Sequence, residues 1–203
     1  MNNPSSQPKR PTLTTLLAST ILITTLSITT LSITALAANQ NYSIINTPTA
    51  SAEFNFRVTL IPVPGKINAV SANLNFDPKN LSKTNGKVLI NLAKLDTGIG
   101  LRDEHARGYI GADKHPHAIF TLKSISGITR LEAGKEGKGI AVGQFDLNGI
   151  SRPLSAPISL KLEGKRINVS TTFNVTLADH KIEIPGADPK VDVKVNFTLE
   201  PKQ

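Results

Sequence analysis

The sequence predicts an all-β, antiparallel fold of about eight strands, with a short helix in one long connection. Three observations predict it. Apolar and polar residues alternate with a period of two through much of residues 53–199, the spacing that sends successive side chains to opposite faces of a strand. Clusters of glycine, proline and asparagine break the alternation at short intervals, and these residues supply the backbone angles that tight turns require. Most connections between stripes are too short for the crossover helices that parallel neighbours need. Strands that are apolar on one face bury it by closing into a barrel or by stacking in two layers.

Residues 1–37 read as a secretory leader. Lys9 and Arg10 precede an uncharged run from Pro11 to Ala38, which ends in Ala35-Leu36-Ala37, an A-x-A cleavage pattern. An uncleaved anchor is the alternative, because the run exceeds the ~20 residues that span a bilayer. Cleavage leaves one domain, 38–203, with a periplasmic or secreted location. That domain is 166 residues long, enough for a sizeable core. The leader's two basic residues account for two of the chain's net +8, so the domain carries +6. With no cysteine in the chain, lipid attachment at a cysteine, disulfides, thiolate metal sites and thiol catalysis are excluded. Aromatics make up 4% of residues and no long basic block occurs, which argues against a stacking platform for nucleic acid. A mild positive charge suits transient contact with an anionic membrane surface.

The stripes follow in order. The first is Phe54, Phe56, Val58 and Leu60, closed by Pro62 and Pro64-Gly65. The second is Val70, Ala72, Leu74 and Phe76, closed by Asp77-Pro78-Lys79-Asn80. Val88, Ile90 and Leu92 form the third, Ala118, Phe120 and Leu122 the fourth, and Phe145 and Leu147 a short fifth. Ile158, Leu160 and Leu162 form the sixth, Ile167 to Leu177 a long seventh, and Val191 to Leu199 the last. Gly134–Gly139, Asn148-Gly149 and Glu163-Gly164-Lys165 read as hairpin turns. The long connection from Leu95 to Pro116 holds a short helix over Arg102–Gly108, with acids in its first turn and a glycine stop.

That connection concentrates the chain's chemistry. Asp96, Arg102, Asp103, Glu104, His105, His115 and His117 fall between Leu95 and Phe120. No nucleophile motif accompanies them, and adjacent helical side chains diverge rather than converge on one atom. Helical spacing pairs Asp103 with Arg107 and sets Arg102 near His105. His115-Pro116-His117 has the i, i+2 spacing of a strand-borne chelate, but without H-E-x-x-H it reads as a loop and strand edge, and no metal or cofactor is expected. The Gly/Lys run at 134–139 lacks the spacing of a phosphate loop. The reading that asks least is a structural clasp: Asp96, Thr97, Arg102, Asp103, His105 and Pro116 satisfying the backbone of a long excursion.

The ordered set Leu95-Asp96-Thr97-Gly98, Arg102-Asp103-Glu104-His105, His115-Pro116 and Ala118-x-Phe120 resembles the YceI-like family of exported bacterial proteins. So do Tyr42-x-Ile44 with Ala52-Glu53-Phe54, Asn75-Phe76-Asp77-Pro78, and Gly143-x-Phe145-x-Leu147-Asn148-Gly149-Ile150-Ser151-Arg152-Pro153. The resemblance covers about residues 41–200. It implies an extended, lipocalin-like antiparallel barrel that holds a polyisoprenoid or similar long amphiphile, and no enzymatic activity. Two elements depart from the family pattern. Thr47 to Ala50 stand where an early histidine is expected, and Leu177-Ala178-Asp179-His180-Lys181 replace a late arginine and aromatic-glycine element. On this reading Phe54, Phe56, Leu74, Phe120, Phe173, Val175 and Phe197 line the interior, while lysines and His180 near the openings meet a polar head group. The partner is a polyisoprenoid or other hydrophobic small molecule, and a homodimer is compatible with the sequence. The rival readings are a filled barrel with a structural or stress-response role and, further off, a histidine-based metal enzyme.

Overall fold

Alternation along the sequence becomes alternation across a sheet. The computed structural model describes residues 40–44 and 50–202; the leader expected over 1–37 lies outside them. Among the described residues ten strands form: β1 (Gln40–Ile44), β2 (Ser51–Val58), β3 (Ile61–Ile67), β4 (Val70–Phe76), β5 (Asn85–Asn91), β6 (His117–Ser126), β7 (Glu136–Leu147), β8 (Ile150–Glu163), β9 (Arg166–Thr176) and β10 (Lys190–Pro201). One α-helix, α1 (Gly100–Tyr109), lies in the β5–β6 connection, a turn longer than the expected 102–108.

Every neighbouring pair is antiparallel, in the order β1-β4-β5-β6-β7-β8-β9-β10-β2-β3, and β1 also pairs with β10. That last pairing closes the sheet. β1 and β2 occupy one edge of β10 in succession, Tyr42 opposite Pro201 and Ala52 opposite Val195. β4 and β3 follow them in the same way, Leu74 opposite Tyr42 and Ile67 opposite Ala52. Ten strands therefore make eight staves, and the expected eight-stranded antiparallel barrel is the observed fold. Closure covers the edges of β1 and β10 that an open sheet would present, while the outer edge of β3 meets, among the described residues, only the bridge from Lys66 to Asp96.

Of the boundaries that differ from the sequence reading, four show their physical reason directly. Residues 61–67 read as a turn because of Pro62 and Pro64, yet they form β3, paired with β2 from Val58–Ile61 to Ala52–Ile67. Lys66, of the same parity as the two prolines, bonds outward to Asp96 in both directions, at 2.9 and 3.0 Å. The prolines' missing donors therefore point away from β2, the position at which a strand tolerates them. Leu60 does not continue the first stripe. Thr59 and Leu60 have φ of +50° and +70° and form the β2–β3 turn, with Leu60 84% exposed. Residues 136–139 belong to β7 rather than to a hairpin turn, because Gly137 and Gly139 leave room for Ile128, which would lie 2.3 and 2.7 Å from a Cβ at those positions. β8 extends back through Pro153 and Pro157 to Ile150, where the stripe had shown only 158–162.

One gap in the pairing lies between β8 and β9. β7 pairs with β8 from Leu147–Ile150 to Glu136–Lys161, and β9 pairs with β10 from Thr176–Lys190 to Ile167–Leu199. β8 and β9 pair only from Ile158–Thr171 to Glu163–Arg166. Residues 150–157 and 172–176 thus face each other without a ladder.

Candidate functional site

The inward faces of the strands line two cavities. The first, about 80 Å3, is walled by Leu74, Phe76, Val88, Phe120, Leu122, Leu154, Ala156, Ile158, Val169, Phe173, Val195 and Phe197, among others. The second, about 110 Å3, is walled by Ala52, Phe54, Phe56, Ile67, Leu92, Leu95, Ala106, Ile110, Val175, Leu177, Ile184 and Val191, among others. Neither presents polar surface. Each exceeds the ~10–15 Å3 that one water needs, yet a water also needs two to four polar partners, and these walls offer none. Thr171 borders the first cavity, but its hydroxyl donates to the Pro157 carbonyl at 2.8 Å, which turns its methyl inward.

Ile90 and Phe145 belong to both walls. They form a septum between the chambers. Phe145 is 7% exposed and its ring is met edge-on by Phe173, at 5.9 Å between centroids, and by His180, at 5.7 Å. Such edge-to-face contacts fix a ring's orientation beyond what burial alone does.

All seven residues expected to line the interior lie on these walls. Leu74, Phe120, Phe173 and Phe197 border the first chamber, and Phe54, Phe56 and Val175 the second. Phe145 and Ile90 were not singled out by sequence. Phe145 lay on a recognised stripe, but alternation reports which face a side chain takes, not that it stands between two voids. His180 is a correction. It is 3% exposed, its Nδ1 lies 2.9 Å from the Ile150 carbonyl, and its carbonyl accepts from Asn148 Nδ2 at 3.1 Å. It is packed inside the wall and does not stand at an opening.

The second chamber is capped by the 95–116 connection. Asp96 Oδ1 accepts from the Gly98 amide at 2.8 Å, turning the chain as it leaves its bridge to β3. Asp103 Oδ1 accepts from the Thr97 amide at 2.7 Å and from the Thr97 hydroxyl. Arg102 Nε donates to the same hydroxyl at 2.8 Å, and Arg102 Nη2 to the Thr97 carbonyl at 2.6 Å. The Thr97 hydroxyl, more than the nearby Arg107 and Arg102, holds the Asp103 carboxyl below its ordinary range. Asp96, Thr97, Arg102 and Asp103 are thus brought together. Arg102 directs its guanidinium to Thr97. Asp103 takes its hydrogen bonds from Thr97, with Arg107 near enough to help lower its carboxyl, while Arg107 Nη1 donates to the Leu95 carbonyl at 3.3 Å. His105 is exposed on α1. Pro116 contributes its carbonyl, which accepts from Leu92 N at 2.8 Å.

His115 packs its ring on Gly149, where a Cβ would come within 2.5 Å of it, and His117 opens β6 opposite Asn91. Among the described residues no three metal-ligating side chains cluster.

Comparison with known proteins agrees with this geometry. A family model described as the YceI-like domain matches residues 44–201. A UPF0312 protein of Vibrio parahaemolyticus is 27% identical over 165 residues, 76% of this chain and 84% of that protein. Among solved structures, a polyisoprenoid-binding domain from Saccharophagus degradans implicated in plant cell wall breakdown superposes with a TM-score of 0.66 at 19% identity, over 79% of this chain and 98% of that one. BcnA of Burkholderia cenocepacia superposes with a TM-score of 0.65 at 16% identity, over 76% and 98%. At these identities the likeness is one of fold.

Proposed function

This chain belongs to the YceI-like domain family, and from that premise we propose that it is an exported carrier, binding a polyisoprenoid or similarly long amphiphile inside its barrel for transport or storage. The supporting observation is the pair of polar-free chambers stacked along one barrel and parted by the two side chains Ile90 and Phe145. A flexible apolar chain gains ~0.8 kcal/mol per CH2 buried, before ordering costs, so a few isoprene units bind usefully without one hydrogen bond. The interior offers a polar head no partner, so the head stays outside the chambers and selection falls on the length and branching of the tail. The Saccharophagus domain of similar fold, which binds polyisoprenoids, favours this ligand class and a binding role rather than a catalytic one.

Native mass spectrometry of the protein, followed by organic extraction, tests the reading. A bound species with isoprene mass spacing supports it. A clean apo mass that stays clean after incubation with isoprenoid quinones overturns it. That result would leave the second reading, a ligand-free structural barrel, which the closed septum favours.

A further inference from the structure

Both ends of the barrel are plugged. At one end Leu95 and, from α1 and its exit, Ala106 and Ile110 form part of the second chamber's wall. At the other, Phe76 and Leu81 are 1% and 0% exposed, and the loop after β6 is bonded across them, Leu81 N to the Thr129 carbonyl at 2.9 Å and Leu131 N to the Pro78 carbonyl at 2.7 Å. The side wall is different. Past Ile158 and Thr171 the β8–β9 ladder stops.

The sequence of β8 explains why it stops there. The Pro157 carbonyl accepts from Thr171, so that edge of residue 157 faces β9. A residue's N–H and C=O point to the same side of a strand, and residues of equal parity share that side. Proline at 157 therefore deletes the donor that the next rung would use, and Pro153 deletes another on the same edge. Directly behind the gap lies the first chamber, walled by Leu154 and Ala156 on one lip and by Thr171 and Phe173 on the other. Across its far end runs the 3-10 turn Leu177–His180. Side chains tie it to β8: His180 Nδ1 meets the Ile150 carbonyl and Arg152 Nε donates to the Asp179 carbonyl, both at 2.9 Å. Bonds of this kind open one at a time, whereas a continuous ladder opens cooperatively.

We infer that hydrophobic ligands enter and leave the barrel sideways, through the seam between residues 154–157 of β8 and 172–175 of β9, with the turn 177–180 as a strap over its end. The inference rests on the carrier reading and adds the route.

The absence of cysteine makes a clean test available. Continuing the register three residues beyond Ile158–Thr171 sets Ser155 opposite Asn174, and both are exposed. In the full chain, a Ser155→Cys, Asn174→Cys pair is bridged after folding with a short bis-maleimide. A Lys161→Cys, Asn168→Cys pair, which spans paired residues of the intact ladder, serves as control. Loading of a dansyl-tagged farnesyl probe is followed by stopped-flow fluorescence. Bridging the seam is expected to slow loading at least tenfold while bridging the control pair leaves it unchanged, and Arg152→Ala, which unties the strap, speeds it several-fold. Equal rates in the bridged-seam, bridged-control and Arg152→Ala proteins, with binding intact, overturn the side entrance and leave the carrier reading standing. Failure of the unbridged protein to bind the probe overturns both.

Discussion

Asp103 receives both donors of Thr97, the backbone amide and the hydroxyl, through one carboxylate oxygen. The same hydroxyl accepts from Arg102, so three residues satisfy one another where the chain enters α1. Asp103→Asn keeps the shape but removes the charge. Hydrogen bonds to a charged group contribute about 1.5–3 kcal/mol, so Tm is expected to fall by roughly 3–10 °C, with Asp113→Asn as an exposed control. The folded-state pKa of Asp103 is depressed, so its stabilisation is present above the ordinary carboxylate range and is lost as pH falls through the folded value. Thermal melts from neutral pH down through that range should therefore show the gap between wild type and variant closing. A gap independent of pH would assign the loss to something other than the carboxylate.

Phe145→Ala should merge the two chambers. Removing a buried phenylalanine costs about 3–5 kcal/mol, so the apo variant melts lower. Ligands that bind only the folded state raise Tm by mass action. If the septum limits tail length, a C20 or longer isoprenoid recovers more stability in the variant than in wild type, while a C10 chain does not. Parallel chain-length profiles in the two proteins would show that the septum sets no limit.

Thr84 is fully buried, and its hydroxyl finds no hydrogen-bond partner among the described residues. An unmet buried hydroxyl costs about 1–3 kcal/mol. Thr84→Val keeps the β-branched shape and is expected to raise Tm by a few degrees. An unchanged or lower Tm would mean that the hydroxyl is satisfied in solution.

Much of the barrel was legible, because period-two alternation is a local property and each stripe carries its own record of it. The stripes that include Leu74, Phe120 and Val175 turned the correct face inward. What escaped notice was what a strand's neighbour decides. Pro62 and Pro64 look like breakers until β2 takes one edge and leaves the other free. Gly137 and Gly139 look like a turn until Ile128 folds over them. His180 looks like a mouth residue until Ile150 arrives from another strand to accept its bond. The same holds for the candidate site. The sequence identifies apolar inward positions, but the septum exists only because Ile90 and Phe145, 55 residues apart in sequence, border the same two voids.

β10 pairs with β9 along one edge, and with β2 and then β1 along the other. Tyr42 and Pro201 are almost as far apart in the chain as any two described residues, so closure of the ring is the longest-range event in folding, and long-range pairing is slow. A ribosome releases residues 190–201 after the other nine strands of the ring. Until then a nascent chain holds two bare lips, on β9 and on the β1–β2 stave, and an apolar trough open along its length. The barrel is therefore a late-sealing vessel, and its period of greatest hazard, from self-association or from capture of the wrong grease, comes before the last stave is in place.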